Sequence, residues 1–263
     1  MLSLTFLGLS LLIFSNYIDY RIKNYNYNKE FFTSCMKIWG HRGHTKIYEQ
    51  NSPNSWNHAI QLGAAGVEMD VFYDNHLKDF IVSHHKPYKK INNKLLTFSM
   101  ALKSLSKPGY VWMDLKEINN INDLDAAITQ LKNILTKANR LNTTIVESQE
   151  GLLLSKFSKS GLYTSYWTNF SEDTMSSLRY FIKDLIRKTI IVFGDFTALS
   201  MPYYHFKQKA KIDYSKFPIL LFTVNDIKLI EDYMKVGNIK VILTDENLFT
   251  ENTKPCPMRT TNE

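Results

Sequence analysis

Cysteine is nearly absent. Cys35 and Cys256 are the only two in 263 residues and stand far apart, which excludes a disulfide framework and leaves the redox compartment open. Internal repeats and low-complexity blocks are missing as well, which argues against a solenoid or a spacer. The net charge is +7, yet the lysines form no long basic run and no nucleic-acid motif occurs. Nucleic acid is therefore set aside in favour of an anionic substrate or a membrane surface. A full-length apolar span is also lacking. Residues 2–18 form an uncharged stretch of 17 residues, whereas a spanning helix needs about 20 with a lower limit near 17. The first basic residue is Arg21, and no Ala-x-Ala follows, which weakens the case for a cleaved leader. The expectation is a single-pass membrane anchor over 1–18, with a signal peptide and secretion as the second reading and a packed helix as the third. Arg21, Lys23 and Lys29 after the run would favour a cytoplasmic catalytic domain.

What is present points to one α/β barrel. The hydrophobic content of 44% is ordinary, and the length suits a barrel that commonly runs to about 250 residues as one domain. A polar linker is expected over 19–35, the barrel over 36–248 and a tail over 249–263. Strands are expected over 36–42, 66–73, 80–85, 110–116, 143–148, 162–167, 189–195, 218–224 and 240–244. Helices are expected over 52–62, 98–106, 123–140, 172–187 and 226–236, with N-caps at Asn122-Asp123, Ser171 and Asn225-Asp226. Such alternation predicts parallel strands with helical crossovers. Nine strands exceed an eight-stranded barrel by one. The connection over 74–79 is too short for a parallel crossover, so 66–85 should be a hairpin-like excursion that returns His84 to the strand carrying Glu68 and Asp70.

The chemistry gathers between Trp39 and His85. Glu68 and Asp70 are separated by Met69 and flanked by Val67 and Val71, so on a strand both carboxylates project from one face. Two acids held that close repel each other unless a cation lies between them, which suggests one divalent ion, Mg2+ or Ca2+. His41-Arg42-Gly43 closes another strand-like run and combines a titratable imidazole, a planar guanidinium matched to phosphate oxygens, and a residue that lets backbone approach a ligand. His84 ends the run Phe80-Ile81-Val82-Ser83. Two histidines can divide the proton transfers of a displacement at phosphorus. Asp114 and Lys116 share a strand face, offering a third oxygen ligand and a second phosphate cation. His76 and His85 read as exposed.

Together, His-Arg-Gly at 41–43, Asn-Ser at 51–52, Gly-Ala-Ala-Gly-Val-Glu-Met-Asp-Val at 63–71, Val-Ser-His at 82–84 and Asp-Leu-Lys at 114–116 resemble the glycerophosphodiester phosphodiesterase family. The likeness covers roughly residues 36–246 and takes in Thr-Val-Asn at 223–225 and Thr-Asp at 244–245. It implies a TIM-type (β/α)8 barrel that hydrolyses phosphoric diesters. In that case His41 and His84 would be the catalytic pair, Glu68, Asp70 and Asp114 the metal ligands, and Arg42 and Lys116 the phosphate clamps. The substrate would be a small-molecule or lipid phosphodiester. The alternatives are a lysophospholipase D or sphingomyelinase D-like membrane enzyme, and a catalytically silent phosphate-binding barrel. The departures from the family pattern are Gln50 in place of an acid, with Glu49 one place earlier, Asp114 in place of Glu, and His85 in place of an acid. His84 and Asp114 are too close in sequence for the substrate-capping insertion, so the site should be open.

Overall fold

Eight short runs, seven of them carrying β-branched or aromatic residues, line up in parallel and close on themselves. The computed structural model describes residues 2–25, 31–32, 37–91, 93–168, 177–206 and 214–250. The barrel strands are β1 (Ile38–Gly40), β2 (Gly66–Asp74), β6 (Tyr110–Lys116), β7 (Thr144–Ser148), β8 (Tyr163–Trp167), β9 (Ala198–Pro202), β10 (Ile219–Phe222) and β11 (Ile239–Thr244). Pairing of Gly40 with Val67 and of Trp39 with Leu243 joins β1 to both β2 and β11 and completes the cylinder. β3 (Asp79–Val82) is the ninth strand of the sheet. It runs antiparallel on β2, Val71 opposite Val82 and Asp74 opposite Asp79, and this is the expected hairpin. β4 (Lys90–Ile91) and β5 (Lys94–Leu95) form a separate small ribbon.

Two apolar layers hold the barrel. Trp39, Trp112, Ile145, Ala198, Leu220 and Leu243 fill its interior. Phe31 closes one end by packing against Tyr110 and Tyr163, with ring centroids 5.4 and 4.8 Å away. The alternate strand residues, among them Val67, Met69, Met113, Val146 and Leu199, face outward into the helix layer. That layer comprises α2 (Pro53–Gln61), α3 (Phe98–Ser104), α4 (Leu124–Lys137), α5 (Gly151–Lys159), α6 (Ser177–Gly194) and α7 (Ile227–Met234). Ser52 caps α2 in a capping box with Ser55, Asp123 caps α4 and Asp226 caps α7, each filling backbone N–H groups that a helix start leaves open. Ser171 lies outside the described residues.

Two differences from the sequence reading concern the middle of the chain. Residues 189–194, read as strand, are the end of α6, and the strand follows at Ala198–Pro202. α5 was not anticipated; its buried Gly151, Leu154 and Phe157 keep the three-residue spacing of a helix face.

The N-terminal reading needs correction. α1 (Leu2–Lys23) forms, but among the described residues no helix is long and apolar enough to cross a membrane. Serine, glycine, asparagine and Asp19 interrupt its apolar character. Ile18 and Ile22 are buried in the core, and Asp19 pairs with Lys188 of α6 at 2.8 Å. The expected single-pass anchor is therefore a helix packed on the barrel, and it gives no support for membrane association. Cys35, Cys256 and Lys29 lie outside the described residues.

Candidate active site

The turn after β1 sets the first part of the site. Arg42 and Gly43 adopt left-handed backbone, φ 55° and 89°. At Gly43 a Cβ would lie 2.5 Å from the Ser55 carbonyl carbon, so glycine is required by both conformation and space. Ser55 Oγ donates to the Arg42 carbonyl at 2.9 Å, and the His44 and Asn51 amides bind the Ser55 and Arg42 carbonyls at 2.9 and 3.1 Å. The start of α2 thus fixes the turn.

Glu68, Asp70 and Asp114 converge as the alternation required. Each is buried, and ligand oxygens from the three lie within 4.8 Å of one another. Register makes Asp70 the partner of Asp114 across β2 and β6. Asp70 is held by Arg42 Nε at 2.9 Å, Lys116 Nζ at 2.8 Å and Asn51 Nδ2 at 2.7 Å, while Lys116 also pairs with Asp114. The Arg42 amide donates to Glu68 Oε2 at 2.9 Å. Burial works against ionisation of Asp70, but Lys116 and Arg42 outweigh it and hold its carboxyl below the ordinary range. Burial, with Asp70 and Asp114 adding to it, raises Glu68 well above that range. Asp114 is pushed up to about 6 by burial, against the pull of Lys116. Hard, buried carboxylate oxygens that resist ionisation together are a donor set that could hold Mg2+ or Ca2+.

The two histidines border this cluster from different supports. His41 ends β1, and its Nδ1 lies 2.8 Å from Asp245 Oδ1, just beyond β11. Asn225 Nδ2 donates to the other Asp245 oxygen at 3.0 Å, while Asn225 Oδ1 accepts from the Asp245 amide at 2.9 Å. His84 follows β3, where the Ser83 amide bonds the Asp70 carbonyl at 3.0 Å and ties the hairpin end to the triad strand. Half-burial, with Arg42 and Lys116 contributing, lowers its affinity for a proton despite Asp70. Its Nδ1 faces His85 Nε2 at 2.6 Å. His76 and His85 are exposed, as expected.

All seven sequence-derived site residues therefore surround one end of the barrel. Gln50 Oε1 accepts from Arg42 Nη1 at 2.8 Å, whereas Glu49 pairs with Lys89. Among the described residues of 83–97 the only regular element is the β4–β5 ribbon, and a cavity of about 140 Å³ opens between Gln50, Asn51, His84 and Lys89. Sequence reasoning did not place Asp245 and Asn225 at the site, although both follow late strands, β10 and β11, as His84 follows β3. It also missed Glu147 on β7, which is 2% exposed and which burial, then Asp114, pushes well above the carboxylate range.

No protein-family model matches the sequence, and no curated protein matches it significantly. Solved structures do. A glycerophosphodiester phosphodiesterase from Thermotoga maritima superposes with a TM-score of 0.61 at 21% identity, over 82% of this chain and 97% of that one. One from Parabacteroides distasonis gives 0.60 at 21%, covering 83% and 95%. An Oleispira antarctica phosphodiesterase in complex with the product sn-glycerol-3-phosphate gives 0.60 at 16%, covering 83% and 97%. At such identities the likeness is one of architecture, and it is specific: the chain has the barrel fold of the glycerophosphodiester phosphodiesterases.

Proposed function

We propose that the protein is a metal-dependent phosphoric diester hydrolase acting on glycerophosphodiesters or related phospholipid head groups. The observation that carries this reading is the buried Glu68, Asp70 and Asp114 cluster with Arg42 and Lys116 in contact with it. Glu68, Asp70 and Asp114 would hold one Mg2+ or Ca2+, which when bound supplies positive charge to a phosphate oxygen. Arg42 and Lys116 bind and orient the remaining phosphate oxygens, Arg42 through its planar fork and Lys116 as a point charge. Asp245 fixes the His41 ring through Nδ1 and leaves Nε2 for proton transfer. His41 and His84 divide the two transfers, one taking the proton from water or an adjacent substrate hydroxyl and the other giving one to the leaving alkoxide. The Oleispira phosphodiesterase bound to sn-glycerol-3-phosphate supports a small glycerol diester as substrate. The uncapped mouth supports a second reading, in which the diester carries a lipid tail.

The test is hydrolysis by the full chain of glycerophosphocholine and lysophosphatidylcholine in parallel, with Mg2+, with Ca2+ and with chelator. Metal-dependent release from either substrate is expected, lost by about 10²–10⁴-fold in His41→Ala and His84→Ala. Near-normal turnover in both variants would refute the two-histidine reading. No turnover by a folded, metal-loaded chain would favour a silent phosphate-binding barrel.

A further inference from the structure

Glu147 stands two residues beyond Ile145, whose side chain belongs to the core inside the barrel. Residues two apart on a strand share a face, so Glu147 turns into the same interior. Its register partner on β6 is Asp114, and on the other side Ser165 of β8. Glu147 Oε2 is not held by a well-formed hydrogen bond; the Ser200 hydroxyl and the Trp112 indole N–H lie beside the carboxyl and lower its proton affinity, and the Ser165 hydroxyl has no partner. These side chains are 2% exposed or less. A band of buried polar groups therefore runs from the acidic triad into the barrel, and the carboxyl in it is met only by neutral donors. Folding alone gains nothing from it, because a buried carboxyl with no cation in contact is costly and an apolar residue of similar volume would fill the space. Lys116 does not relieve it, since its amino group already contacts Asp70 and Asp114.

We propose that Glu147 belongs to the cation site as its fourth acidic residue. The inference rests on the reading of Glu68, Asp70 and Asp114 as cation ligands. Their three negative charges stand against the two positive charges of Arg42 and Lys116, which leaves one to meet a divalent ion. Glu147 brings the count to two and balances the ion. Its position also bears on Asp114, whose short side chain is drawn toward Lys116. The carboxyl beside it, carried on a longer stem, adds negative charge on the flank of the triad where Asp114 is shared with a lysine.

The experiment is calorimetric titration of the full chain with Mg2+ and with Ca2+ alone, comparing the unchanged protein with Glu147→Gln and Glu147→Met. Melting in chelator is recorded in parallel. Both variants remove the charge without emptying the space, so melting temperatures equal to or above that of the unchanged chain are expected. The cation Kd should rise about 10–100-fold, the range typical of residues that support a metal site. A Kd within tenfold of the unchanged chain's in both variants, with folding intact, would overturn the proposal and leave Glu147 a packing residue. If one variant fails to fold, the other decides. If the unchanged chain binds neither ion, the cation reading itself fails. That result is separable, because it appears before any variant is compared.

Discussion

Asp245 and His41, 204 residues apart in sequence, are joined by a contact of 2.8 Å between Oδ1 and Nδ1. The last barrel strand thereby orients a group on the first. Burial raises the proton affinity of Asp245, but its bonds with His41 and Asn225 outweigh that and keep it ionised below the usual carboxylate range. Asp245→Asn should preserve the packing and lower kcat by about 10²–10⁴-fold with little change in KM, because the imidazole loses both its orientation and its counter-charge. Steady-state kinetics on glycerophosphocholine would check this, and an unchanged kcat would remove Asp245 from the machinery.

Arg42→Lys keeps the charge and the backbone amide that reaches Glu68, but it loses the fork that engages Asp70 and Gln50 together. A fall in kcat/KM of about 10–100-fold is expected, equivalent to one or two charge-assisted hydrogen bonds. Cation affinity measured by calorimetry should stay close to that of the unchanged chain, which would separate phosphate binding from metal binding.

Gly43→Ala places a Cβ against the Ser55 backbone in a left-handed conformation. The strain alone costs about 1–2 kcal/mol, and the clash adds to it. Urea unfolding should show a loss of at least that size. Turnover should fall as well, since the turn that carries His41 and Arg42 must shift.

The cation should bind more tightly as pH rises through about 6. Asp114 has its folded-state pKa pushed up to about 6, chiefly by burial, and burial with Asp70 and Asp114 raises Glu68 well above the ordinary carboxylate range. A raised carboxylate pKa means that the folded chain holds protons that the unfolded chain releases near pH 4. The stability of the metal-free protein should therefore fall from about pH 4.5 to about pH 7, and added Mg2+ or Ca2+ should restore it over that window. Thermal melting in chelator and in saturating metal would show the two slopes, and a metal-free protein that gains stability across the window would contradict the assignment.

The triad was legible in the sequence because a strand's period of two is rigid: Glu68, Met69 and Asp70 could be sorted into faces without knowing the fold. The hairpin was legible because six residues cannot make a parallel crossover. The boundary between α6 and β9 was not. Thr189, Ile190, Ile191 and Val192 favour strand locally, yet Ile191 packs into the core as part of a helix, and tertiary contacts override propensity. The anchor reading failed for a related reason. Absence of charge over 2–18 gave the length of a membrane span, while the burial of Ile18 and Ile22 depends on partners distant in sequence. Asp245 and Glu147 escaped because each is a single acid whose meaning comes from its neighbour across the sheet.

The hairpin gives the two histidines unequal mechanical standing. His41 is fastened to a closed cylinder, where every strand has two neighbours and no single residue can slide. His84 rides on β3, whose one neighbouring strand is β2, with a short bridge from Ile81 and Val82 to Thr97 and Leu96 on its other edge, and which ends beside the site. A slip of one residue there would break the Val82–Leu96 and Ser83–Asp70 backbone bonds and bring Ser83 or His85 to the place of His84, but it would not open the barrel. Spacing between the two histidines can therefore be retuned by changes confined to residues 74–97, while the strands that carry the acidic cluster stay closed on themselves.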